Sequence, residues 1–309
     1  MLLELSLFLY GGIYLNKKRI YSFDSKVGYR LKEKLNCSKR FTNYNIQLLT
    51  DNFGVRVSDI NEQRRTSIFP FSAKKRRILI TGDSFAEGQT DARHRFDYQI
   101  NRLSNKYHAT SIGCGGYGPS QQILFAHRFI PDLRKDDVFL LLTCGNDFGD
   151  ISRKTIFGRS KPHLTNSGYR IEIKPPNDGF FYYFRDKSFL LGYSLQFLDA
   201  YNMKWNFSDP EVRDSHDIYC SFVETYFNEL KSLNINPVIF LHSLNKTRFI
   251  NELELKLHSK NLNFVNLSDA LSDKVYLSED NFHWNERGNL KIARDIVNYL
   301  DNRFEKSNL

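Results

Sequence analysis

The chain has 309 residues, of which 41% are hydrophobic and 26% charged. This composition is typical of a globular protein and excludes disordered and collagen-like classes, and the length can bury one large α/β core, with or without an insertion. The formal charge of +9 is uneven, because residues 1–77 hold 16 Lys and Arg against 6 Asp and Glu, and the rest holds 28 against 29. A nucleic-acid-binding domain usually carries its basic excess on the folded module, so we expect no nucleic-acid partner and leave a solvated surface and an anionic membrane surface as alternatives.

The beginning of the chain is apolar but does not match a secretory signal. Residues 1–15 are apolar except for Glu4 and Ser6, and three basic residues follow at 17–19. A signal carries its positive charges before the apolar run and a cleavage site after it, and a bilayer span needs roughly 20 residues. We expect no cleavable signal and a cytoplasmic or membrane-associated protein. An interfacial helix, the end of a longer anchor and a packed first helix stay open, and with them peripheral membrane contact through residues 1–40.

From Arg77 onward the hydrophobic pattern becomes regular, after an N-terminal stretch at residues 17–77 that is rich in turn residues and is expected to be irregular. Strands are predicted at residues 78–81, 108–112, 138–143, 237–241 and 264–267. Helices are predicted at residues 95–106, 119–129, 215–232, 248–258 and 285–304. Alternating strands and helices predict an α/β fold with a doubly wound, mostly parallel sheet. We therefore divide the chain into an N-terminal extension, 1–76, and a main domain, 77–309.

One segment, residues 151–214, interrupts this alternation. It is rich in aromatic residues, with five consecutive ones at 180–184, and also carries Arg153, Lys154, Arg159 and Lys161. A loop-rich insertion between core elements is a candidate substrate lid. A subdomain that packs its own aromatic side chains is the alternative.

A serine follows the first core strand, in the sequence Gly-Asp-Ser-Phe-Ala-Glu-Gly at residues 82–88. A serine hydroxyl becomes a useful nucleophile when a base takes its proton and donors stabilise the oxyanion that forms. Ser84 is the candidate, although G-D-S alone occurs by chance. The nucleophile elbow G-x-S-x-G is absent, because Ala86 stands where its second glycine would be.

Two further strand ends carry possible oxyanion donors. Glycines at 113, 115, 116 and 118 follow the second strand, and they allow a backbone amide to approach a ligand. Asn146 and Asp147 follow the strand at 138–143, where the Asn amide can donate to an oxyanion and the Asp can hold the loop. Either motif alone is more often an ordinary turn.

A histidine precedes the last helix. Asp280 lies three residues before His283, close enough to bond the imidazole nitrogen that faces away from a serine, as in a catalytic triad. The remaining histidines are assigned structural roles: His94, His108, His127, His163, His216, His242 and His258. The four cysteines lack C-x-x-C spacing, so we expect free thiols and neither a metal nor another cofactor.

Together and in this order, the four segments resemble the SGNH, or GDSL-type, hydrolase superfamily over about residues 77–304. The resemblance implies a flavodoxin-like, three-layer fold and a triad of Ser84, His283 and Asp280. It also implies an oxyanion hole formed by the Ser84 amide, the Gly116 amide and the Asn146 side chain. The sequences around Ser84 and His283, and that of residues 51–56, are similar to those of bacterial members associated with envelope polysaccharides. Two positions depart from the pattern, Ser111 in place of Asn and Cys144 in place of Gly.

The expected function is that of a serine esterase that hydrolyses small acyl esters, acetyl esters above all, on a carbohydrate. Its partner would then be a small acyl ester or an acetylated saccharide. An O-acetyltransferase with the same triad is the first alternative, since only the exclusion of water from the pocket separates the two. A non-catalytic binding module of an envelope assembly is the second.

Overall fold

The computed structural model of the chain describes residues 20–40, 44–70, 74–156, 158–166, 171–176, 194, 210–242, 248–267, 275–278 and 281–305. Residues 1–19, Asp280 and most of the insertion lie outside this set, so the expectations about a membrane-contacting start, the triad carboxylate and a substrate lid stay predictions. Within the described ranges, no helix is both long and apolar enough to cross a bilayer.

The N-terminal part of the chain folds into short antiparallel strands instead of the expected irregular structure. They are β1 (Tyr21–Asp24), β2 (Gly28–Leu31), β3 (Asn36–Arg40), β4 (Asn45–Thr50) and β5 (Arg56–Val57). β1 pairs with β2, and β4 lies between β3 and β5. Local bonds form the turns: the Asp24 carboxylate accepts the N–H groups of Lys26 and Val27. Strands this short, joined by such turns, leave little periodicity in the sequence.

Strands and helices alternate after residue 75. The first elements are β6 (Arg76–Thr81), α1 (Ser84–Glu87), α2 (Phe96–Leu103), β7 (Tyr107–Ser111), α3 (Pro119–Ala126) and β8 (Val138–Cys144). Four short strands belong to the insertion: β9 (Thr155–Ile156), β10 (Arg159–Ser160), β11 (His163–Asn166) and β12 (Ile171–Lys174). The chain continues with α4 (Pro210–Ser232), β13 (Asn236–His242), α5 (Arg248–Ser259), β14 (Phe264–Asn266), β15 (Tyr276–Ser278), β16 (Asn281–Trp284) and α6 (Glu286–Glu305). Short 3-10 helices span Ile60–Arg64, Ala92–His94, Ile130–Asp132 and Gly145–Phe148.

Five parallel strands form the central sheet in the order β14-β13-β8-β6-β7. This is the flavodoxin-like strand order, and it confirms the predicted α/β fold. The order reverses between β6 and β8, and sheets of this kind bind ligands outside the carboxyl ends of their strands at such a reversal. Ser84 follows β6 and Asn146 follows β8, so both lie at that point of the sheet.

Helices cover both faces of the sheet. Successive residues of a strand point to opposite faces, and β6 shows this directly, because Ile78 and Ile80 belong to one apolar cluster and Leu79 to another. The first cluster also contains side chains of α2 and α6, such as Phe96 and Ile292. The second contains side chains of α3, α4 and α5. The fold therefore has the three layers that the sequence analysis predicted.

The N-terminal strands share the second of these apolar clusters. Val27, Tyr29 and Leu48 are buried in the same cluster as Leu79 and Phe139 of the central sheet. Continuous burial of this kind couples the stability of two segments. The domain boundary at residue 76 stays a prediction, and the packing makes it testable.

Truncation of Leu48 or of Leu79 to alanine should lower the free energy of unfolding by about 2–5 kcal/mol each, because both side chains are fully buried and truncation leaves a cavity. Equilibrium urea unfolding should show one cooperative transition for both variants. Leu255→Ala, at a side chain that is 69% exposed, is the control and should unfold like the wild type. A separate early transition in Leu48→Ala, with the main one unchanged, would mean that residues 20–70 unfold independently.

Candidate active site

Ser84 is the first residue of α1, directly after the turn that ends β6. Asp83 caps this short helix, and its Oδ1 accepts the Phe85 N–H at 2.9 Å. The Ser84 N–H has no acceptor among the described residues, as is usual for the first amides of a helix. The half-buried serine therefore presents both a hydroxyl and a free amide at the edge of the sheet.

His283 is the third of the four residues of β16 and contacts this serine. Its Nε2 is 2.7 Å from Ser84 Oγ, and its ring stacks on Phe85, with centroids 4.6 Å apart and an interplanar angle of 24°. Asn285 caps the helix that follows, because its Oδ1 accepts the Gly288 N–H at 3.0 Å. The structure thus brings together the two residues that the sequence analysis placed in contact.

Gln89 is a second polar neighbour of the imidazole that the sequence analysis did not identify. Its Nε2 is 3.0 Å from His283 Nε2, and the Tyr44 hydroxyl lies 3.5 Å from its Oε1. A carboxamide nitrogen can only donate. A neutral His283 ring that accepts this amide hydrogen at Nε2 carries its own proton on Nδ1. This is the tautomer that accepts a proton from a serine.

Burial makes this imidazole a weak base. Desolvation lowers the pKa of His283 to about 4, and the Glu87 carboxylate, which raises it, and the Lys39 ammonium, which lowers it, have smaller effects. The neighbouring His242 ring packs edge-on against Phe85, and burial together with His283 lowers its pKa to about 3. Both rings are neutral at pH 7.

Two further donors lie on loops that contact the Ser84 segment, because a Cβ on Gly115 would lie 3.8 Å from Ser84 Cβ and Asn146 bonds Asp83. Gly116 has φ +79°, a conformation that favours glycine, and its N–H has no acceptor within the described part of the chain. Asn146 is exposed, and one hydrogen of its amide bonds Asp83 Oδ2 at 3.0 Å. Its second hydrogen is available to a ligand. Ser84, Gly116 and Asn146 are the three donors expected from the sequence.

Buried carboxylates hold the loops that carry these donors. Asp147 accepts the Cys144 N–H at 2.8 Å and the Gln122 side-chain amide at 2.9 Å, and so fixes the turn that contains Asn146. Burial, with Asp83 nearby, raises the pKa of Asp147 well above its usual value, and burial raises the pKa of Asp83. Each carboxylate oxygen of the pair accepts a donor, which offsets part of this cost.

Glu87 connects the glycine loop to the N-terminal strands. Its Oε2 accepts the Gly115 N–H at 2.6 Å, and its Oε1 is 2.5 Å from Lys39 Nζ of β3. Burial alone would raise the pKa of Glu87, but Lys39, Arg56 and the Gly115 amide together outweigh it, and the pKa lies below its usual range. Lys39 and Glu87 were also missed, since nothing in the sequence pairs residues so far apart. The position of Gln89, five residues after Ser84, was the one available signal.

The described residues contain no cluster of His, Cys, Asp or Glu that could hold a metal ion. All four cysteines are free thiols. The chemistry available at this edge of the sheet is a hydroxyl within hydrogen-bond distance of a neutral imidazole, beside unused N–H donors.

No family model and no curated protein matches the chain. Among solved structures, it is similar to one named as a lipolytic protein of the G-D-S-L family from Desulfitobacterium hafniense DCB-2, with 12% identity, a TM-score of 0.40, and coverage of 71% of this chain and 98% of that one. It is also similar to one named as a GDSL-like lipase from Bacteroides ovatus ATCC 8483, with 14% identity, a TM-score of 0.38, and coverage of 74% and 99%. Because both TM-scores lie below 0.5, we draw nothing about function from this likeness.

The protonation of His283 can be measured directly. In an NMR titration of histidine-labelled protein, with His283→Gln for assignment, His283 should titrate near pH 4 instead of near the unperturbed value of about 6.5. Since the folded-state pKa lies below the unfolded one, this group's contribution to stability is present above pH 6.5 and is lost as pH falls toward 4.

In the same titration Gln89→Met should raise the pKa of His283, because it removes a donor that favours the neutral ring. A His283 pKa near 6.5 in the wild type, or a decrease in Gln89→Met, would contradict this description of the site.

Proposed function

We propose that this protein is a serine esterase in which Ser84 is the nucleophile and His283 the base. The observation that carries the proposal is the 2.7 Å contact between Ser84 Oγ and Nε2 of the His283 ring, which its low pKa keeps neutral at pH 7. A serine needs this contact to lose its proton during attack. Asp280, three residues earlier in the chain, is proposed to bond the Nδ1–H of His283.

In the first step, Ser84 Oγ attacks the ester carbonyl while His283 Nε2 accepts the serine proton. The carbonyl oxygen becomes an oxyanion that accepts hydrogen bonds from the Ser84 N–H, the Gly116 N–H and the Asn146 amide. His283 then gives its proton to the oxygen of the leaving alcohol, the bond between the carbonyl carbon and that oxygen breaks, and an acyl-serine remains.

In the second step, water takes the place of the alcohol. His283 accepts a proton from the water, the resulting hydroxide adds to the acyl-serine, and the same three donors stabilise the second oxyanion. Collapse returns the proton to Ser84 Oγ and releases the carboxylic acid. The low pKa of His283 keeps the base unprotonated at pH 7, so no earlier deprotonation is needed.

We propose acetyl and other small acyl esters of a carbohydrate as substrates. The resemblance of the Ser84 and His283 segments to envelope-polysaccharide-associated hydrolases supports this choice. A chromogenic acetyl ester, assayed with and without a saccharide acceptor, would separate hydrolysis from acyl transfer. Consumption that requires the acceptor would indicate an O-acetyltransferase with the same nucleophile.

A fluorophosphonate should form one covalent adduct with the wild type, detected by intact mass, and none with Ser84→Ala. His283→Ala should react far more slowly, because the hydroxyl then has no base. Ser67→Ala removes a serine that is half-buried like Ser84 but lies outside the site, and it should be labelled like the wild type. Labelling of Ser84→Ala, or none of the wild type, would exclude the proposed nucleophile.

Loss of the side-chain oxyanion donor should lower kcat. Asn146→Ala is expected to reduce it by about 10²–10³-fold with little change in KM, because the donor acts on charge that develops in the transition state. Asn105→Ala, at an asparagine that is exposed like Asn146, should keep the wild-type rate. An unchanged kcat in Asn146→Ala would remove this side chain from the oxyanion hole.

A further inference from the structure

The peptide unit between Gly115 and Gly116 is held by a residue from the N-terminal strands. The Tyr29 hydroxyl of β2 donates to the Gly115 carbonyl oxygen at 2.9 Å. Tyr29 is only 2% exposed, and its ring packs edge-on against Tyr117, with centroids 5.4 Å apart. Because the Tyr29 ring is buried and packed, its hydroxyl has a fixed position and restrains the Gly115 carbonyl.

The same peptide unit contains the Gly116 N–H. The described part of the chain has no cis peptide bond, and in a planar trans peptide the C=O and N–H groups point in opposite directions. A hydrogen bond that fixes the Gly115 carbonyl therefore also fixes the direction of the Gly116 N–H, away from the Tyr29 hydroxyl.

The other side of Gly115 is fixed as well. Its N–H donates to Glu87 Oε2 at 2.6 Å, and Glu87 is paired with Lys39. A Cβ placed on Gly115 would lie 3.8 Å from Ser84 Cβ, so this loop runs directly beside the nucleophile. Glycines at 113, 115, 116 and 118 give the loop more backbone freedom than other residues would. The bonds from Tyr29 and Glu87 therefore add to the turn bond between the Tyr117 N–H and the Cys114 carbonyl in restricting its conformation.

We propose that Tyr29 is a positioning residue for the oxyanion hole, which it serves by orienting the Gly116 N–H. The N-terminal strands then contribute to the active site through Tyr29, in addition to packing against the central sheet. This inference rests on the proposed esterase function, because it assigns the Gly116 amide to the oxyanion.

Tyr29→Phe is the test, because it removes one hydroxyl and keeps the ring. The expected result is a fall in kcat of about tenfold or more, short of the 10²–10³-fold cost of losing a donor entirely, with KM within about twofold of the wild type. Tyr219→Phe is the matched control. Its ring is buried in the same apolar cluster, and its hydroxyl is bonded to Thr143 Oγ1 at 2.5 Å.

Both variants should lose a similar amount of thermal stability, and only Tyr29→Phe should lose kcat. Equal effects of the two variants on kcat, or an unchanged kcat in Tyr29→Phe, would overturn the inference and leave the esterase proposal standing. Absence of ester hydrolysis and of phosphonate labelling in the wild type would overturn both.

Discussion

The hydrogen bond between the Ser84 hydroxyl and the His283 imidazole joins two residues that are 199 positions apart, and the sheet order makes this contact possible. β6 ends beside β8, at the reversal of strand order. Ser84 follows β6 and therefore lies at the edge where ligands bind in such folds. His283 reaches the same edge because it lies three residues before the start of α6, which packs on the α2 side of the sheet. The Asn289 side chain of α6 fixes this packing, since its Oδ1 accepts the Phe96 N–H at 3.0 Å.

The arrangement of these residues depends equally on buried carboxylates that bond the neighbouring loops. Asp83 caps α1 through one carboxylate oxygen and holds the Asn146 amide through the other, so the proposed nucleophile and one proposed oxyanion donor share a support. Glu87 lies one turn further along α1 and holds the glycine loop. Donors that are held in place before the reaction need no rearrangement during it. This preorganisation is the main source of electrostatic stabilisation in enzymes. The burial that fixes them also lowers the basicity of His283.

Much of this arrangement was predictable from the sequence. The apolar runs of β6, β8 and β13 and the helical periodicity of α6 predicted the layered fold, because burial on both faces of a parallel sheet leaves a continuous signal. Ser84, Gly116, Asn146 and His283 were selected as candidates because each follows a strand or precedes a helix at the edge where sheets of this kind bind ligands. The N-terminal strands were not predicted, since they are short and antiparallel and are joined by local turns. Tyr29 and Lys39 were missed because their contacts are with residues about fifty positions away or more, which no local pattern records.

The most direct test of the central claim is the crystal structure of the protein after reaction with a phosphonate that mimics the tetrahedral intermediate. Our account predicts a covalent bond from Ser84 Oγ to phosphorus, with one phosphoryl oxygen about 2.7–3.1 Å from the Ser84 N, Gly116 N and Asn146 Nδ2 atoms. It also predicts that His283 Nε2 faces the leaving-group position. An adduct on another residue, or a phosphoryl oxygen that faces solvent and has none of these donors, would contradict it.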